Sequence, residues 1–276
     1  MARSLPFAIW FYLAIEQLPL AAEESHDPQR DMPRGLLWGI ATLILASFLT
    51  LFLNAGIAPG AAAVGASEEP LFLAFRTIFG PGAGSTTLAL AAVAGLVASF
   101  HAIIYAYGRN IYSLSRAGYF PTWMSRTHPT RKTPHVALIV GAVAGYLVAL
   151  TIEYGRALFG DVPVGGVLLN MAVFGAVIAY VMQMAAYLKI KSNLALERPY
   201  LSPLGRPGAI VAATIAALTL LFLFINPDYR PGVYGVAIWF ALSLLYFAVY
   251  ARHRMIRSPE EEFAERAAGA RDHPGA

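Results

Sequence analysis

The sequence predicts an all-α integral membrane protein with seven transmembrane helices, and three observations predict it. Hydrophobic residues make up 58% of the 276 and charged residues only 13%, whereas about a quarter of a soluble domain is charged. The apolar residues come in runs of membrane length. The basic residues gather on alternate connections, as they do where a chain threads a bilayer repeatedly.

The first apolar stretch, residues 6–22, reads P-F-A-I-W-F-Y-L-A-I-E-Q-L-P-L-A-A. It carries Glu16 near its middle and Pro19 just beyond, after the aromatic run Trp10-Phe11-Tyr12. A charge at the bilayer centre costs about 2.5–3.5 kcal/mol on insertion scales, so Glu16 is read as a functional group or as a partner to a neighbouring helix. No A-x-A-like site follows in a suitable context, so a cleaved leader is not expected. Spans two to seven are expected at 35–57, 84–108, 135–153, 163–188, 208–225 and 232–250. Each is long enough, at about 1.5 Å per residue, to cross a core of about 30 Å.

Between the second and third spans, 70–80 (P-L-F-L-A-F-R-T-I-F-G) is too short to cross and puts Leu71, Phe72, Phe75 and Ile78 on one helical face. The third span has small residues Ala91, Ala94, Gly95, Ala98 and Ser99 suited to close helix packing, and it runs into the basic extension 109–121. Gly165, Gly166 and Gly175 lower the helical propensity of the fifth span. Beyond Tyr250, residues 252–276 read as a solvated cytoplasmic tail.

Of the 20 basic side chains, all but Arg3, Arg76, Arg156 and Arg230 fall on one side of this arrangement. That asymmetry predicts an external N-terminus and a cytoplasmic C-terminus in a multi-pass plasma-membrane protein. The pI of 9.3 therefore reports topology rather than nucleic-acid binding. Cysteine is absent, which excludes disulfides, thiolate metal sites and a cysteine nucleophile. No phosphate loop, H-E-x-x-H or Cys/His cluster occurs, so ATP-driven transport, metal chemistry and enzymatic activity have no basis in the sequence. A retinal protein is excluded, because no span interior holds a lysine.

Two motifs carry a resemblance. W-F-Y-L-A-I-E (10–16) followed by A-E-E-S-H-D-P-Q-R-D-M-P-R (22–34) resembles the sixth helix and following loop of the amino acid-polyamine-organocation permeases. That family shows an aromatic residue, a G-x-E triplet and E-E-x-x-x-P-x-x-x-x-P-R. Y-G-R-N-I-Y-S-L-S-R-A-G-Y-F-P (107–121) resembles the end of the family's eighth helix. The stretches 6–16, 117–128 and 198–209 are most similar to the ethanolamine permeases within it. In the first motif Ala14 stands where the family has glycine.

The resemblance implies a fold of two five-helix repeats of inverted topology, with substrate held at helices broken at the midplane. This chain would then supply helices six to twelve: one five-helix repeat plus two C-terminal helices. Unpaired carbonyls at the break would receive an ammonium group. Trp10, Phe11, Leu13, Ala14 and Ile15 are the implied substrate-binding residues, with Trp10 at the position of the aromatic gate. Glu16, just after the break, is implied in gating or proton coupling.

His101 is a further candidate coupling group or a hydrogen-bonded core residue. Arg109 and Arg116 are cytoplasmic anchors or ion-pair partners of Glu23 or Glu24, while Tyr105, Tyr107 and Asn170 line a cavity or pack. No cofactor is expected, and either proton or sodium coupling fits.

The function this implies is secondary active uptake of a small amine or amino acid, ethanolamine first, by a chain lacking the first five helices. Alone it is expected to be inactive. Its partners would be the substrate and the bilayer, and the missing half is expected to reflect a truncated gene, a mis-called start in a longer reading frame, or a split transporter completed by another polypeptide. The alternative is a non-transporting seven-helix membrane protein, receptor-like or an inert remnant.

Overall fold

A computed structural model describes residues 8–9, 11–58, 60–67, 69–160, 164–192, 200–257 and 262, apart from the side chains of 156–159 and 228. Every regular element among them is helical. The α-helices are α1 (Pro28–Gly56), α2 (Ala61–Ala66), α3 (Pro70–Phe79), α4 (Ala83–Arg116), α5 (His135–Phe159), α6 (Val164–Ser192), α7 (Gly205–Ile225) and α8 (Arg230–Val249). Six of the described helices, α1 and α4 to α8, are long and apolar enough to cross a membrane.

The expected first span is where sequence and structure differ. Residues 11–14 form turns and Ile15–Glu24 a 3₁₀ helix. Two features prevent a continuous α-helix: Ala14 lies in the left-handed region, with φ 79° and ψ −8°, and Pro19 sits inside the following helix. Ten residues is long for 3₁₀ geometry, in which runs beyond about three or four are uncommon.

The other spans follow the apolar runs but extend past them. The helix α1 begins at Pro28, with Pro at its first position and the Asp27 carboxylate accepting from Arg30 N at 3.3 Å. Hydrophobicity alone puts the start near 35, because the first turn and a half is charged and lies outside any apolar run. The short α3 has Pro70 at its start and ends at Gly80, φ 72°, as its length and composition predict.

The chain divides into two compact units, one of Met1–Ile103 with Ala176–Phe222 and the other of Ile104–Gly175 with Leu223–Ala276. In the first unit the 3₁₀ segment packs on α1. A Cβ on Gly39 would lie 2.8 Å from Ile15 Cδ1, and one on Gly35 3.0 Å from Leu18 Cδ2. Gly35 and Gly39 thus form a G-x-x-x-G notch that admits the two aliphatic side chains.

In the second unit Phe174 meets Phe224 edge to face, centroids 5.5 Å apart. Asn170 packs its Cβ against Gly232, and Tyr107 lies over Gly141 while donating to the Leu138 carbonyl at 3.2 Å. Both residues therefore make helix-packing contacts. Arg109 and Arg116 stand over the rings of Tyr105 and Tyr112, one turn earlier on their own helix, at 4.6 and 5.4 Å.

The first residues of the expected tail are ordered against this unit. Ile256 N donates to the Ala117 carbonyl at 3.1 Å, and the backbone of Arg254 crosses directly over Gly118. Residues 258–261 and 263–276 lie outside the described residues.

Candidate functional site

The site is built on the broken segment. Tyr12 N donates to the Ile9 carbonyl at 2.9 Å and Gln17 N to the Ala14 carbonyl at 3.1 Å, so short-range bonds run up to Ala14 and resume after it. The left-handed Ala14 between them redirects the chain. A non-glycine residue there is strained and persists only where its surroundings hold it.

Those surroundings are specific. The Ser47 hydroxyl, 5% exposed in α1, donates its one hydrogen to the Ile44 carbonyl at 2.8 Å. The Tyr12 hydroxyl, 2.8 Å from Ser47 Oγ, must therefore be the donor to it. On the other side of the break, Ile15 and Leu18 seat in the Gly39 and Gly35 notch. The turn is thus tied to α1 by a hydrogen bond before Ala14 and by apolar packing after it.

Glu16 follows the break directly. The Tyr180 phenol of α6 lies close enough to interact electrostatically with its carboxylate. Glu16 Oε2 is nevertheless buried and accepts no hydrogen bond among the described residues. A buried carboxylate oxygen without a donor is costly in an apolar medium, and a proton or an ammonium group would relieve that cost. Chemically the arrangement is an anion with a buried, unpartnered oxygen beside an interrupted helix.

Of the residues expected to bind substrate, Phe11, Leu13, Ala14 and Ile15 are brought together here. Phe11 is 39% exposed, Leu13 and Ile15 half-buried, and Ala14 exposed. Trp10 lies outside the described residues. His101 stands exposed on α4, where its Nδ1 pairs with the Val97 carbonyl of its own helix at 3.0 Å.

Tyr180, Tyr12 and Ser47 were not legible as site residues. The one available signal for the scaffold was the four-residue spacing of Gly35 and Gly39. Among the described residues no group of three or more His, Cys, Asp or Glu could hold a metal ion.

A family model described as amino acid permease matches residues 2–258. An uncharacterized transporter of Rhizobium meliloti (strain 1021) is 35% identical over 143 residues, 50% of this chain and 30% of that protein. The branched-chain amino acid permease BcaP of Bacillus subtilis (strain 168) is 24% identical over 249 residues, 87% of this chain and 48% of its own. The putrescine transporter PotE of Escherichia coli (strain K12) is 25% identical over 259 residues, 92% of this chain and 55% of its own. The chain spans about half the length of these two permeases. No solved structure matches.

Proposed function

Because the chain belongs to the amino acid permease family, we propose that it forms the substrate-binding part of a secondary active permease for a small amine or amino acid. The observation that carries this reading is the buried, unpartnered Oε2 of Glu16 immediately after the left-handed Ala14. The printed names of the relatives include a branched-chain amino acid permease and a putrescine transporter. An amino acid and a diamine share the ammonium group, and an ammonium is what a carboxylate with a buried, unpartnered oxygen would attract. Ethanolamine, the substrate favoured by the sequence resemblance, carries the same group.

In this reading the residues around the break, Trp10 to Ile15, hold the substrate. Glu16 couples its movement to a proton or acts as a gate, and His101 is a second candidate coupling group. The chain corresponds to helices six to twelve of a longer transporter, in agreement with its spanning about half of the two permeases. It works in the plasma membrane with its N-terminal end outside, and needs the first five helices of that transporter beside it, whether from the same or another polypeptide.

The test is uptake of labelled ethanolamine, putrescine and leucine into proteoliposomes. The chain alone should show none, and the chain assembled with a five-helix N-terminal polypeptide should accumulate at least one of them. Accumulation by the chain alone would overturn the need for a second half. An assembled complex that moves none of the three, or moves one equally well after Glu16→Gln, would overturn the assigned site. Because the natural chain has no cysteine, single cysteines introduced near each terminus and labelled from one side of the membrane test the orientation.

A further inference from the structure

The N-terminal end of α1 holds a second feature, unconnected with the transport reading. Pro28–Gly56 is 29 residues, about 43 Å of helix against a hydrocarbon core of about 30 Å. Some eight or nine residues must therefore project, by about 1.5 Å each. The charged residues of the helix, Arg30, Asp31 and Arg34, all lie at its N-terminal end, so that end is the overhang. Arg30 and Arg34 accordingly sit at headgroup depth, with Leu37 and Trp38 one turn deeper.

Beside them is a cavity of about 350 Å³ lined by Asp27, Gln29, Arg30, Arg34, Leu37 and Tyr200. Of the two nearby carboxylates on the chain, Asp27 lines the cavity and Asp31 does not, and each accepts local hydrogen bonds. Asp27 Oδ1 accepts from Arg30 N at 3.3 Å. Asp31 Oδ2 accepts from Ser25 Oγ at 2.9 Å and from Asp27 N at 3.4 Å. Among the described residues neither Arg30 nor Arg34 forms an ion pair. Two guanidinium groups at i and i+4, without an ion pair among the described residues, share one helix face and present paired donors suited to a phosphate. Tyr200 and Gln29, both able to donate, line the same cavity. Leu37, which lines the cavity, is 55% exposed, and its chain neighbour Trp38 is 75% exposed, so apolar surface continues from the cavity along the helix toward the membrane.

We infer that this cavity is a binding site for an anionic phospholipid. The phosphate lies between Arg30 and Arg34, and an acyl chain follows Leu37 and Trp38. A free phosphate would use the arginines but leave the apolar surface without a role, which is why the lipid is the assigned ligand. Basic side chains at headgroup level favour anionic over zwitterionic lipid through the same charge complementarity.

The test uses the full chain, purified and stripped of lipid in a neutral detergent. Phosphatidylglycerol and phosphatidylcholine are added at equal concentration and retained lipid is read by native mass spectrometry. The chain should retain phosphatidylglycerol preferentially, Arg30→Gln/Arg34→Gln should lower that retention at least about fivefold, and Arg30→Lys/Arg34→Lys should keep the preference. Helical content by circular dichroism is followed in the same samples.

Equal retention of the two lipids by the unmodified chain overturns the proposal, as does undiminished retention by a folded Arg30→Gln/Arg34→Gln variant. Inorganic phosphate at the lipid's concentration should not displace phosphatidylglycerol. Displacement would reassign the site to free phosphate and overturn the lipid. The lipid preference and the phosphate competition are read on the unmodified chain, so they decide the matter even where a variant fails to fold.

Discussion

Tyr12 donates a hydrogen bond of 2.8 Å to Ser47, tying the turn before the break at Ala14 to the middle of α1. Ser47 has already given its hydrogen to the Ile44 carbonyl, so the Tyr12 hydroxyl is the only possible donor in the pair. Tyr12→Phe should therefore cost about 0.5–1.5 kcal/mol, the lower part of that range being usual between membrane helices. A double-mutant cycle with Ser47→Ala, read by unfolding in mixed micelles, should return a coupling of similar size. Additive single effects would show that the bond does not hold the turn.

Ala14 at φ 79° makes a prediction of opposite sign. A left-handed conformation costs an L-residue roughly 1–2 kcal/mol, and glycine adopts it freely at some cost in unfolded-state entropy. Ala14→Gly should thus stabilise the protein by about 0.5–1 kcal/mol. Ala14→Val should destabilise it by at least as much, because a β-branched residue tolerates positive φ least. Thermal unfolding of the two variants beside the unmodified chain decides this, and a destabilised glycine variant would show that the turn is not strained.

Much of the fold was legible because length and hydrophobicity suffice to mark a bilayer-crossing helix. The helices α4 to α8 lie where the apolar runs lie. Starts such as Pro28 were missed because hydropathy does not register a charged overhang, although Asp27-Pro28 is itself a helix-start signal. Of the candidate site, Glu16 stood out in the sequence, since a carboxylate in an apolar run is costly and calls for either a function or a partner. The contact between Glu16 and Tyr180 was not. It joins residues far apart in the chain, and a tyrosine in an apolar helix has many uses. The break at Ala14 was legible only through resemblance, since alanine carries no preference for positive φ. Only a bonded turn on either side can impose it.

Gly39 and Gly118 form a pair whose responses should differ. A Cβ on Gly39 would lie 2.8 Å from Ile15 Cδ1, the free end of a side chain that can rotate. Gly39→Ala should cost less than about 1 kcal/mol, while Gly39→Leu should overfill the notch and cost about 1–3 kcal/mol. Ile15→Ala should relieve the Gly39→Leu penalty.

At Gly118 the obstacle is backbone: φ is 83°, and an added Cβ would meet the Arg254 carbonyl and lie 3.0 Å from Met255 Cα. Gly118→Ala should therefore cost about 2 kcal/mol or more, from positive φ and collision together. It should also release the segment that ends in the Ile256 to Ala117 hydrogen bond. Faster proteolysis after Arg254 or Arg257 would register that release, and protection equal to the unmodified chain would refute it.

The Glu16 and Tyr180 pair yields the prediction nearest to function, and it must be read on the assembled transporter. Glu16→Gln keeps the shape and removes the charge, so a group that receives an ammonium or a proton should lose uptake or lose its dependence on a proton gradient. Tyr180→Phe removes only the phenol hydroxyl that faces the carboxylate and could donate to it. Hydrogen bonds to charged groups are worth about 1.5–3 kcal/mol, so uptake should fall roughly tenfold or more if Tyr180 positions Glu16 during the cycle. A structural role for Tyr180 would lower the amount of folded protein and leave the uptake per folded molecule unchanged. A positioning role would lower that turnover and leave the fold intact. Measuring uptake at several substrate concentrations and normalising to folded protein separates the two. Where Glu16→Gln retains uptake without proton dependence, adding Tyr180→Phe should have little further effect, because the charge the phenol faces is already gone.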